Sequence, residues 1–254
     1  MRNVAHIGSV IERAAAENVA AVLMEPNAGT NGIIAPREFW PQLRAETRRR
    51  GVYLIADEVM SGFGRCGEWF SWQAHGEAGR PDIMTLAKGL TGAHLPLGAV
   101  VVSAQVAEKL EHVMLNTGLT YCGHPLSCAV GVAAIDAYED ERLIERSRHL
   151  GNHVLERLRA MQARHSVIGE VRGSGGLFAI VELVKNRESR EPLSAWPSTH
   201  PSVALFVSQA RQRGISFATR GNLIILAPPL VIGENELERA LETMNALLGE
   251  LDWT

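Results

Sequence analysis

Only three of the 25 basic residues are lysines: Lys88, Lys109 and Lys185. Lys88 directly follows the apolar run 83–87, Asp57 directly follows 52–56, and Glu25 directly follows 19–24. A lysine amine can condense with an aldehyde to form an imine. Arginine, which is never deprotonated, cannot replace it. A carboxylate drawn out of water needs a cation beside it, and a protonated pyridine nitrogen is such a cation. Pyridoxal 5'-phosphate carries both the aldehyde and the pyridine, and a lysine with an acidic partner is the pattern this cofactor uses. Its phosphate needs donors as well: N–H groups at a helix start, a glycine loop or hydroxyls. Thr120, just ahead of the turn 123–125 and a helix, is a candidate. Taken singly, each residue has an ordinary alternative. Strand ends meet solvent and carry charges, and Thr120 would serve equally well as a helix-entry cap. The functional reading rests on the three ionisable groups falling together beside Gly29, Gly32, Gly62, Gly64 and Gly89.

The elements that would position these groups are legible in the spacing. Val4, Ile7, Ile11 and Ala14 recur with helical period, and 37–50 reads as a second helix ending at Gly51. The short apolar runs 19–24, 52–56 and 83–87 have the character of strands buried on both faces. Strand, helix, strand at this spacing is a βαβ unit, which requires parallel strands and a right-handed crossover. Ligands of open parallel sheets bind beyond the carboxyl ends of the strands, so Glu25, Asp57 and Lys88 are expected on one rim. A connection of about nine residues leads to 97–103, which suits an antiparallel neighbour. Farther on, 125–138 and 141–161 read as long helices, 167–172 and 177–184 as strands, and 186–201 as an exposed loop. A helix at 202–213, strands at 215–218 and 223–226, and a helix at 234–248 follow. The expectation is an α/β domain followed by a smaller α+β domain, with the division at 1–130 and 131–254.

Composition narrows the functional classes. At 254 residues, 46% hydrophobic and 21% charged, the chain has ordinary globular usage. A net charge of -3 gives no electrostatic case for nucleic acid. No apolar stretch approaches the ~20 residues of a membrane span, and the first residues, Met1 to His6, hold no apolar signal core. Cys66, Cys122 and Cys128 are scattered and odd in number, which suits reduced thiols in the cytoplasm. His75, His94 and His124 form no zinc-type spacing, so no metal is expected. Phosphate-loop, nucleophile-elbow and dinucleotide motifs are missing from the sequence.

Several segments resemble the class III (omega) aminotransferases, pyridoxal-phosphate enzymes of fold type I. They are Val22-Leu23-Met24-Glu25-Pro26, Ile55-Ala56-Asp57-Glu58-Val59 with Gly62-Phe63-Gly64-Arg65, Leu86-Ala87-Lys88-Gly89-Leu90, Leu95-Pro96-Leu97-Gly98, and Thr120-Tyr121-Cys122-Gly123-His124-Pro125. Glu170-Val171-Arg172-Gly173 and Ala227-Pro228-Pro229-Leu230 extend the likeness to the C-terminal half. The resemblance implies a transaminase that moves an amino group from a primary amine or omega-amino acid to pyruvate or 2-oxoglutarate. It implies that Lys88 carries the cofactor and moves the proton, and that Asp57 keeps the pyridine nitrogen protonated. Val59 would pack on the ring, Thr120 would bind phosphate across a homodimer interface, and Glu25 would support the site from behind. Arg220, set a few residues later than in many relatives, would meet a substrate carboxylate. It also implies that this stretch corresponds to a C-terminal portion: part of the large domain and all of the small one, without the loop that cups the phosphate or the aromatic residue that stacks on the ring. A non-catalytic remnant, or a mutase or racemase on the same scaffold, is the alternative expectation.

Overall fold

The computed structural model describes residues 2–253, so Met1 and Thr254 lie outside the described residues. The chain divides into two compact units. The first runs to Gly29, resumes over Ala35–Phe63 and ends with Glu68–Ile144; the second holds Thr30–Ile34, Gly64–Gly67 and the residues from Glu145 onward. The observed division therefore falls after residue 144 rather than at 130. The physical reason is the helix α4 (Pro125–Asp140), which packs by one side on the turn at Lys88–Thr91. Its Tyr138 hydroxyl donates to the Gly89 carbonyl at 2.8 Å, and an added Cβ at its Gly131 would approach Leu97 to 3.1 Å.

In the first unit, α1 (Arg2–Arg13) precedes strand β1 (Ala21–Met24). The following loop holds a short extended stretch, β2 (Asn27–Ala28); the next, β3 (Ile33–Ile34), belongs to the second unit. Then come α2 (Phe39–Arg49), β4 (Tyr53–Asp57), β5 (Ile83–Leu86), β6 (Ala99–Val102) and α3 (Ala104–Leu110). The sheet order is β1-β4-β5-β6, with β1, β4 and β5 mutually parallel and β6 antiparallel, as the connection lengths require. One face of this sheet is covered. Val22, Met24, Leu54, Ala56 and Met84 meet Trp40 and Leu43 of α2, Ile7 of α1 and Trp72. A bidentate pair between Arg44 of α2 and Asp82, ahead of β5, fixes the layers (2.6 and 2.5 Å). Asp82 also accepts the Leu54 N–H of β4 at 2.8 Å. The pair is buried, and its charges are matched by one another and by that amide, as burial demands. Side chains alternate across a strand, so the opposite face carries Leu23, Ile55, Ile83, Val100 and Val102. There Leu23 and Val100 are 59% and 67% exposed.

In the second unit, β7 (Ile168–Gly173), β8 (Ala179–Asn186), β10 (Ala218–Arg220) and β11 (Leu223–Leu226) form an antiparallel sheet of order β10-β11-β8-β7, and β9 (Glu191–Pro192) adds to β8. Helices α5 (Leu143–Arg164), α6 (Pro201–Gln212) and α7 (Glu234–Glu250) accompany it. The strand expected at 215–218 lies instead at Ala218–Arg220. Gly214 turns the chain with φ of 79°, and Phe217 is spent on packing against Phe206 (ring centroids 5.3 Å apart) before the ladder begins. No helix among the described residues is long and apolar enough to cross a membrane.

Candidate active site

The three ionisable groups of the rim arrive from neighbouring parallel strands. Glu25 follows β1, Asp57 ends β4 and Lys88 follows β5, and these strands are adjacent in that order. In register, Asp57 stands opposite Thr85, three residues before Lys88. Each local turn is built to hold its group. The Glu25 carboxylate accepts the Gly29 N–H at 3.0 Å and closes the loop after β1. An added Cβ at Gly29 would meet Met60 at 2.5 Å, so this turn sits close to the segment after Asp57. The Asp57 carboxylate accepts the Val59 N–H at 3.0 Å, which places Val59 directly beside it.

Lys88 opens a short 3-10 turn with φ of 43°, in the left-handed region where a non-glycine residue is strained. Hydrogen bonds from Leu90 to the Ala87 carbonyl (3.0 Å) and from Ala93 to the Lys88 carbonyl (3.3 Å) hold it there. Gly89 leaves no room for a side chain, since a Cβ would approach Phe63 to 2.7 Å. Phe63 is itself left-handed, with φ of 54°, and lies against Phe70 and Tyr138. Backbone strain over-determined by packing is a feature of functional sites.

The lysines differ in what they touch. Lys109 donates to the Tyr53 hydroxyl at 2.9 Å and lies over the Tyr53 ring, and that hydrogen bond raises its pKa. Lys185 pairs with Glu191 at 3.7 Å. Among the described residues the Lys88 amine has no such partner, so it is the one left available to an aldehyde.

Thr120 lies in an exposed stretch and does not cap α4. The residue at the helix entry is His124, with Pro125 in the first turn. Its neighbours Met114, Leu115, Leu119, Tyr121 and Leu126 are exposed and apolar. Arg220 belongs to the second unit, at the end of β10, where its guanidinium stacks 5.4 Å from the Trp196 ring centroid. The rim thus brings together Glu25, Asp57, Val59 and Lys88, while Thr120 and Arg220 stand on other elements.

Glu58 escaped the sequence reading. It is fully buried, and its carboxylate accepts from the Ser61 hydroxyl, the Ser71 N–H (3.0 Å) and the Trp72 N–H (2.9 Å). Burial raises its pKa against those hydrogen bonds, and the charge of Asp57 adds to the rise.

The rim residues suit pyridoxal phosphate. One unpartnered primary amine and one carboxylate occupy neighbouring strand ends, glycine turns flank both, and the hydroxyl oxygen of Thr85, in register with Asp57, is buried without a hydrogen-bond partner among the described residues. Among those residues no group of three or more His, Cys, Asp or Glu side chains could hold a metal.

An α/β sheet with its ionisable groups at the carboxyl rim places them where sheets of this kind bind ligands. The chain belongs to the class III aminotransferase family, whose pattern matches residues 2–248. It is 36% identical over 228 residues to putrescine–pyruvate aminotransferase of Pseudomonas aeruginosa, covering 89% of this chain and 48% of that protein. To the omega-aminotransferase of Caulobacter vibrioides it is 34% identical, covering 98% and 56%. Among solved structures, the taurine:2-oxoglutarate aminotransferase of Bifidobacterium kashiwanohense, in complex with PLP and glutamate, superposes with a TM-score of 0.91 at 34% identity, covering 97% of this chain and 55% of that one. The chain therefore spans about half the length of the relatives it matches.

Proposed function

We propose that the protein carrying this chain is a pyridoxal-phosphate-dependent transaminase. It transfers an amino group from a primary amine or omega-amino acid to a 2-oxo acid, pyruvate or 2-oxoglutarate. The observation that carries the reading is the placement of Lys88 and Asp57 at the carboxyl ends of adjacent parallel strands, in a chain of the class III family. When bound, the cofactor supplies an aldehyde that takes up amines and a protonated ring that draws electrons from the substrate carbon. In this reading the Lys88 amine holds that aldehyde and then moves the proton between substrate carbon and cofactor. Asp57 accepts a hydrogen bond from the ring N–H and keeps the proton there. Val59 packs on the ring, and Glu25 keeps the Gly29 turn closed beneath it. The Thr120 hydroxyl binds phosphate, and the exposed apolar stretch around it suits the surface of a second copy in a homodimer. Arg220 binds a substrate carboxylate by a bidentate pair. The similar proteins motivate putrescine and taurine as the first amino donors to try.

The test is borohydride reduction of the natural-length protein with added cofactor, followed by peptide mapping. Label on Lys88 is expected, with a visible absorption band that reduction abolishes. Label on Lys109 or Lys185 would overturn the assignment.

A further inference from the structure

We propose that Glu58 is a positioning residue that fixes Asp57 and Val59 at the rim. The inference rests on the reading of Asp57 as the partner of the cofactor ring. Asp57 and Glu58 are consecutive, so their side chains leave the strand on opposite sides. Glu58 thereby falls on the covered side with Leu54 and Ala56, all three fully buried.

Every polar group of Glu58 is engaged. Its N–H donates to the Thr85 carbonyl of β5 at 3.0 Å, and its carbonyl accepts the Gly62 N–H at 3.0 Å. Its carboxylate gathers Ser61, Ser71 and Trp72. The Ser71 hydroxyl in turn accepts from the Asn27 side chain, in the loop after β1. One buried carboxylate thus ties the end of β4 to β5, to the segment at 71–72 and, through Ser71, to the loop that Glu25 closes. The Asp57–Val59 hydrogen bond spans Glu58, so the residue pinned from behind sets the direction of the two that face forward.

An acid is needed because three donors converge. A carboxylate offers acceptor sites on both oxygens, whereas a glutamine turns an amide N–H toward at least one of those donors. Losing the anchor frees the 58–72 loop and lets Asp57 turn away from the ring nitrogen. With the cofactor bound, a ring nitrogen that lacked this carboxylate would hold its proton less firmly, and the Lys88 nitrogen would hold its own more firmly.

The test uses the natural-length protein with pyridoxal phosphate and compares wild type with Glu58→Gln, Asp57→Asn and Ser61→Ala. The readouts are cofactor affinity and the pH midpoint of the visible band at saturating cofactor. The second readout is insensitive to a loss of fold stability alone. Glu58→Gln is expected to weaken cofactor binding roughly tenfold. It should also raise the pH midpoint by about half a unit or more, in the same direction as Asp57→Asn. Ser61→Ala, which removes one donor and leaves the amides, should shift both less; it carries the test if Glu58→Gln does not fold. Wild-type affinity and midpoint in the folded variants would overturn the positioning role while leaving the function intact. A wild-type protein with no band linked to Lys88 would instead overturn the function on which the role depends.

Discussion

The two sheets of this chain solve the problem of their second face differently. In the antiparallel sheet, Val181, Leu183 and Ile224 are fully buried, while the other face carries Arg172 bonded to Glu170 and Glu182. Its Ile180 lies under Gly32. In the parallel sheet one face buries Leu54 and Ala56 against Trp40 and Leu43, yet the other presents Leu23, Val100 and Val102 to solvent. Antiparallel sheets commonly leave one face polar and wet, whereas parallel sheets are normally covered on both. The candidate chemistry sits on the sheet with the bare apolar face. The sheet with a polar second face carries only the solvent-exposed Arg220 among the proposed site residues. The sheet that carries the candidate site is thus the one with an uncovered apolar face.

The largest expected effect tests the covered side of the parallel sheet. Asp82→Ala leaves the Arg44 guanidinium buried without its partner and should cost about 3–5 kcal/mol in denaturant unfolding. A cost below about 1 kcal/mol would mean that the pair does not fix the layers. Leu183→Ala, in the core of the antiparallel sheet, should cost about 2–5 kcal/mol. If the two units unfold separately, each substitution should lower only one of two transitions. A single shared transition would remove the comparison.

A smaller effect concerns Glu58. Its carboxyl has a raised pKa in the folded state, so the folded chain holds a proton that the unfolded chain gives up near the ordinary value of 4.5. Stability should therefore fall as pH rises from that value through the folded pKa, and level off above it. Glu58→Gln should flatten this slope, whatever it does to absolute stability. An unchanged slope would assign the pH dependence to other groups. The smallest effect belongs to the bare face: Val100→Thr in this chain alone should change stability by no more than about 0.5 kcal/mol. The same substitution in the natural-length protein should cost more if further polypeptide covers the face, and equal costs would refute that covering.

The parallel sheet could be read from sequence because its strands are short, continuous apolar runs closed by Glu25, Asp57 and Lys88, and because connection lengths decide strand direction. The antiparallel strand at 218–220 was harder to place, since Ile215 and Phe217 are as apolar as strand residues but serve packing. Glu58 was invisible for a different reason. Beside Asp57 it reads as one more charge at a strand end, and only the alternation of side chains, seen once β4 is placed, turns it inward. The extent of the first unit was hidden likewise, because α4 declares its allegiance through Tyr138 and Gly131 rather than through any break in composition. Lys88 was legible as an amine in the right place, but its left-handed backbone was not, because nothing in its neighbours demands it.

That left-handed turn sets a trade between durability and work. A glycine at position 88 would relax the backbone and an alanine would not, so the variant without an amine can outlast the natural residue when it is Lys88→Gly. The posture of residue 88 is therefore held by the packing around it, at Gly89 and Phe63, and not by any preference of the lysine itself.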